Sequence, residues 1–96
     1  MERRRTRKPT TPGEVLKHEY LEPLELTQGD FAAHLGCDVK TINRIVNGRT
    51  RLSPMMAFRI ASALETTPEF WMNLQAAVDL HEVHESEDDL PEPIGV

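Results

Sequence analysis

A helix-start signal recurs along this chain, and its spacing limits what the chain can fold into. Thr11-Pro12-Gly13-Glu14 places Thr at the cap, Pro at the first helical position and Glu at the third, the pattern of a capping box. Thr27-Gln28-Gly29-Asp30 repeats the arrangement with Asp at the third position. Asp38, Ser53-Pro54 and Thr67-Pro68-Glu69 open three more helices. Pro23, Gly36 and Asn47-Gly48 supply stops. No stretch alternates as a strand does, and the β-rich run Ile42 to Val46 lies between helix signals. The pattern predicts an all-α fold of five helices.

The apolar residues fall at helical spacing within those limits. Leu16, Tyr20 and Leu24 share a face of the first helix, and Leu26 and Phe31 stand at the hydrophobic-staple positions of the second. Val39, Ile42, Ile45 and Val46 mark the third helix, and Ala57, Ile60, Ala61 and Leu64 the fourth. Phe70, Trp71, Leu74 and Val78 mark the fifth. Ahead of these elements, residues 1–10 read as a flexible basic arm. Residues 11–85 read as one domain, and residues 86–96 as a loose acidic tail. At 96 residues the core is marginal, so dimerisation would add stability.

Charge is segregated along the chain, whose formal total is −5. Arg3, Arg4, Arg5, Arg7 and Lys8 outweigh Glu2 at the N-terminus. Residues 12–30 are acidic, carrying Glu14, Glu19, Glu22, Glu25 and Asp30 against Lys17. Lys40, Arg44, Arg49 and Arg51 then outweigh Asp38, and residues 67–96 hold eight acids with no Lys or Arg. Two basic zones in an acidic chain suit DNA on one face and a cationic partner on another. The arm either reaches a minor groove of DNA, as some N-terminal arms do, or is a disordered leader.

The stretch from Gln28 to Gly48 carries the most specific signal. With Gln28 as position one, Ala32 is fifth, Gly36 ninth, Ile42 fifteenth and Ile45 eighteenth. That is helix-turn-helix spacing. Two helices crossing at about 90–120° need a small residue at their approach and a turn residue tolerant of positive φ. Ile42 and Ile45 turn inward with Phe31 and Leu35, which leaves Lys40, Thr41, Asn43 and Arg44 on or near the outer face. Arg44 is the first candidate for reading bases, since arginine binds guanine O6 and N7 together; Lys40 and Thr41 follow. Asn43 suits base or phosphate. Gln28 can bind a phosphate together with the helix N-terminal amides. Asn47, Arg49, Thr50 and Arg51 in the following loop suit backbone contacts.

Residues 14–75 resemble the Cro/C1-type, or Xre-type, helix-turn-helix domain of five helices. The stretches PTTPGEVLKHEYLEPLELTQ and TPEFWMNLQAAVDL are further similar to the HigA antitoxins, also described as virulence-associated protein I. The resemblance implies a type II antitoxin that binds a HigB-like, mRNA-cleaving toxin. It also implies repression of its own operon as a homodimer on double-stranded operator DNA. It makes the fifth helix a dimerisation helix, so Phe70, Trp71, Leu74 and Val78 belong either to the core or to the dimer seam. A stand-alone Xre-type repressor without a toxin is the alternative.

Other chemistry finds little support. His81 and His84 share a helix face without a convincing third ligand, so no metal or cofactor is expected. Cys37 suits a packed turn residue, and no nucleophile is paired with a base, so no catalytic residue or enzyme is expected. With a single cysteine and no apolar run of membrane-spanning length, a cytoplasmic location is expected.

Overall fold

The computed structural model describes residues 8–86 and 89–95. Residues 1–7 of the basic arm, and Glu87, Asp88 and Val96 of the acidic tail, lie outside the described residues. Among the described residues there are helices and no strands. The first, α1 (Pro12–Val15), runs directly into a π-helical stretch (Leu16–Leu21); α2 (Gln28–Leu35), α3 (Val39–Val46), α4 (Pro54–Leu64) and α5 (Pro68–Ser86) follow. No helix is long and apolar enough to cross a membrane.

The start signals act as their chemistry dictates. Thr11 Oγ1 accepts from Glu14 N at 3.0 Å while Glu14 Oε1 accepts from Thr11 N at 2.9 Å, satisfying two end donors reciprocally. Thr27 and Asp30 make the same pair of bonds around α2. Asp38 caps α3, Ser53 caps α4, and Thr67 Oγ1 accepts from Phe70 N at the start of α5. Each such cap stabilises by about 1 kcal/mol.

Three details depart from the sequence pattern. The first helix is not regular: Glu22 N bonds Lys17 O, five residues back. In an α-helix Leu16 and Leu21 would point about 140° apart. The π spacing brings residues five apart onto one face, and both are buried. The same winding leaves Leu24, expected on the inner face, 55% exposed. Leu26 and Val39 also sit at the surface, each at a helix entry where neighbours cover only one side.

One core joins all five helices. Leu16, Phe31, Ile42, Ile60 and Trp71 are its largest wholly buried side chains. Burial of each contributes roughly 1.5–3 kcal/mol relative to exposure. α2 packs on α3, α4 on α5, and α1 closes against both α3 and α5. At the α1–α3 approach only glycine fits. A Cβ at Gly13 would lie 2.0 Å from the Ile45 carbonyl oxygen and 2.7 Å from that of Val46. The N-terminus of α1 is thereby pressed onto the C-terminal end of α3.

Candidate nucleic-acid interface

Two helices and their turn build the interface. Ala32 is buried where α2 meets α3, and Gly36 takes the left-handed conformation (φ 76°) that ends α2. Cys37 N then bonds Ala32 O at 3.0 Å, which closes the turn. Cys37 itself is half-buried against the core.

α3 has two faces. Ile42, Ile45 and Val46 are buried, while Lys40, Asn43, Arg44 and Asn47 are exposed at i, i+3, i+4 and i+7. An α-helix with its side chains is about 10–12 Å across, which a DNA major groove of ~12 Å width admits. Among the described residues neither Lys40 nor Arg44 is ion-paired. Thr41 is half-buried at the edge of this face.

Asn43 and Gln28 occupy a different relationship from that expected. Asn43 Nδ2 donates to Gln28 Oε1 at 3.0 Å, and Asn47 Nδ2 donates to Asn43 Oδ1 at 3.2 Å. A chain of three amides thus ties the start of α2 to the outer face of α3. Their spacing in the sequence, fifteen residues for the first pair, carries no sign of this bond.

The loop after α3 is held from below. Arg49 N bonds Arg44 O at 2.8 Å, and Arg49 and Thr50 stay exposed. Arg51 turns its guanidinium to Asp79 on α5. Gln75, only 5% exposed, accepts from Leu52 N at 2.8 Å and donates to Asp79 Oδ1 at 2.9 Å. Asp79 lies below the usual carboxylate range because the Gln75 amide bonds its charged form; partial burial opposes this, and Arg51 adds to it. Sequence reasoning missed Gln75 and Asp79. The available signal was Gln75 within the stripe Trp71, Leu74, Gln75, Val78, because a polar residue on a buried face requires a partner.

The aromatic residues of α5 divide. Trp71 is wholly buried, its ring 5.6 Å from Tyr20 and edge-on to Phe70 at 5.2 Å, with Nε1 donating to Thr66 Oγ1 at 2.7 Å. Phe70 remains 39% exposed, and Leu74 and Val78 are half-buried. Beyond them Leu80 and Val83 are exposed on the distal half of α5. A cleft of about 250 Å³ opens between the first turn of α1, the loop after α3 and α5; Thr11, Arg49, Thr50 and Glu82 are among its walls. Among the described residues no group of three or more His, Cys, Asp or Glu side chains is placed to hold a metal.

Comparison with known proteins accords with this geometry. The helix-turn-helix family matches residues 18–71. The chain is 50% identical over 78 residues to the uncharacterised helix-turn-helix transcriptional regulator YbaQ of Escherichia coli K12, a match covering 81% of this chain and 69% of that one. It is 42% identical over 78 residues to antitoxin HigA-1 of Vibrio cholerae, covering 81% and 73% respectively. Its fold superposes on the Pseudomonas aeruginosa antitoxin HigA, solved with higBA promoter DNA, with a TM-score of 0.78 and 32% identity over 81% of this chain and 85% of that one. The chain belongs to the Xre-type helix-turn-helix family, within the group that contains the HigA antitoxins.

Proposed function

We propose that this chain is an antitoxin and autorepressor: it binds operator DNA through α3 as a homodimer and neutralises a HigB-like, mRNA-cleaving toxin. The observation that carries the DNA reading is the two-faced α3, with Lys40 and Arg44 unpaired among the described residues on its exposed face. Arg44 reads a guanine through O6 and N7, with Lys40 and Thr41 beside it. Asn43 acts mainly by positioning Gln28 and Asn47. With its oxygen accepting from Asn43, Gln28 offers a phosphate its amide N–H₂. Asn47, Arg49 and Thr50 complete the backbone contacts. Arg51 reaches a phosphate only by loosening its hold on Asp79.

Two copies would set two recognition helices one DNA turn, about 34–36 Å, apart. The exposed Phe70, Leu80 and Val83 supply an apolar seam along α5 for that dimer. The likeness to the Vibrio cholerae antitoxin supports the toxin reading, as does the acidic α5 and tail, complementary to a basic ribonuclease. A second reading, a stand-alone repressor, is favoured by the higher identity to a relative named only as a transcriptional regulator.

Co-expression with the product of the adjacent gene, followed by size-exclusion chromatography with light scattering, separates the two. A complex holding two copies of this chain, with growth restored, establishes the antitoxin. A lone dimer that still shifts its own promoter DNA leaves a repressor and removes the toxin.

A further inference from the structure

Two residues of α5, one helical turn apart, grip the loop that follows α3. Gln75, buried in the core, accepts from Leu52 N at 2.8 Å and so fixes the backbone next to Arg51. Asp79 takes the Arg51 guanidinium itself, and the same carboxylate oxygen accepts from Gln75 Nε2 at 2.9 Å. The two members of the ion pair sit differently. The Arg51 side chain is 70% exposed and belongs to the loop, whereas that of Asp79 is 28% exposed and belongs to α5. The carboxylate is therefore the fixed member, and the arginine is the one that can swing. Its loop neighbours Arg49 and Thr50 are exposed, and among the described residues Arg49 makes no ion pair. Two arginines of one loop thus differ: Arg49 faces solvent, and Arg51 is neutralised by its own chain.

We infer that Asp79 is an autoinhibitory latch, which holds Arg51 off the DNA backbone and keeps operator affinity below what the loop can deliver. This rests on α3 lying in the groove, with the loop beside a phosphate. Carboxylate and phosphate compete for one guanidinium, because both match its planar fork of donors. In the free chain the carboxylate holds it, being tethered alongside. That hold is weak, since a largely exposed ion pair is weak in water, so the latch tunes affinity rather than blocking it. The Gln75 amide favours the charged form of Asp79, which keeps the latch set at neutral pH. It opens when a phosphate outcompetes the carboxylate, or when another cation, such as one presented by a partner on α5, takes the carboxylate over.

The test is a double-mutant cycle of Asp79→Asn and Arg51→Ala in the full chain, on duplex DNA from upstream of its own gene. Anisotropy titrations run from about 50 to 200 mM salt, with Arg44→Ala in parallel. Asparagine at position 79 keeps an oxygen for Gln75 and loses the charge. Asp79→Asn is expected to bind more tightly, with log K against log salt steeper by about 0.9 for each phosphate gained. Across that range the slope difference amounts to about 3.5-fold in affinity for one phosphate, and about 12-fold for two, one per copy of a dimer. Adding Arg51→Ala to Asp79→Asn should erase the gain and restore the slope. Glu82→Gln is the control, since it removes an acid from the neighbouring cleft without a bond to Arg51. A gain that Glu82→Gln matches, or that survives in the double variant, is general charge and overturns the latch. An Asp79→Asn chain that binds no more tightly, with Arg44→Ala still impaired, overturns the latch and leaves the α3 reading intact. Full affinity in Arg44→Ala overturns both. Should Asp79→Asn fail to fold, the exposed loop decides: Arg51→Ala is expected to lose less affinity than Arg49→Ala, and an equal loss overturns the latch.

Discussion

Gln28, the first residue of α2, accepts a hydrogen bond from Asn43 in the middle of α3 at 3.0 Å, and this bond crosses the helix-turn-helix on its exposed side. The buried contacts of Ile42 and Ile45 set how far apart the two helices stand. The amide pair sets their rotation, because it forms only when both outer faces point the same way. Gln28→Ala and Asn43→Ala should each weaken operator binding. A double-mutant cycle on binding should show a coupling of about 0.5–1.5 kcal/mol. Strict additivity would mean that the two side chains contact DNA independently.

Arg44→Ala should leave the melting temperature almost unchanged, because the side chain is exposed. Operator affinity should fall by about 1–3 kcal/mol, with discrimination relaxed at one base pair. Binding to a set of operators altered at single positions identifies that base pair. Uniform weakening across the whole set would instead assign Arg44 to a phosphate.

Gln75 is the buried polar link between the loop and α5. Gln75→Leu nearly keeps the volume but leaves Leu52 N unpaired in the core. The expected loss is about 1–3 kcal/mol of folding stability, read by urea unfolding. Hydrogen exchange at Leu52, in the loop before α4, should rise by more than exchange within α4 itself.

Asp79 gives the same link a pH dependence. Its carboxyl titrates below the ordinary value of 3.8 in the folded chain, with Gln75 the main cause and Arg51 next. Between the folded and unfolded values the unfolded chain binds the extra proton, so stability falls as pH falls. The contribution is fully present above about pH 4–5 and is lost as the solution is acidified through the folded value. The stability difference between this chain and Asp79→Asn should therefore shrink steadily below about pH 4. A difference unchanged from about pH 6 to about pH 3 would rule out the charged form as the partner.

Gly13→Ala places a methyl group against two backbone carbonyls that cannot rotate aside. A loss of about 1–3 kcal/mol, or on the order of 10 °C in Tm, is expected. Circular dichroism melting checks it, with Gly29→Ala as the control, since a Cβ there meets only the Thr27 hydroxyl at 3.8 Å.

The helix starts and the helix-turn-helix core were readable because their physics is local. A cap acts over three residues, and an apolar stripe over two turns. Thr11, Thr27, Asp38, Ser53 and Thr67 each cap the helix that their residue type announced. The π-winding from Leu16 was not readable, because Leu16 and Leu21 are drawn inward by a core assembled from other helices. The end of α4 was equally silent, since Glu65 takes a left-handed conformation (φ 58°) more often given to glycine or asparagine. The outward set on α3 followed from spacing. Its internal bonding did not, because hydrogen bonds from Asn43 to Gln28 and from Leu52 to Gln75 join residues 15 and 23 positions apart. In both places an amide can donate or accept, and composition does not reveal which partner a fold will bring to it.

Trp71 is the only tryptophan in the chain, and it lies fully enclosed between Tyr20 and Phe70 with its indole nitrogen bonded to Thr66. Its fluorescence therefore comes from one site, where the first turn of α5 meets the π-helical segment. Emission at short wavelength reports that junction closed, and a red shift reports water entering it. A ligand that only seats α3 in a groove leaves the colour unchanged. A partner that pries α5 from its bed shifts it, so the two classes of binding partner can be told apart in unlabelled protein.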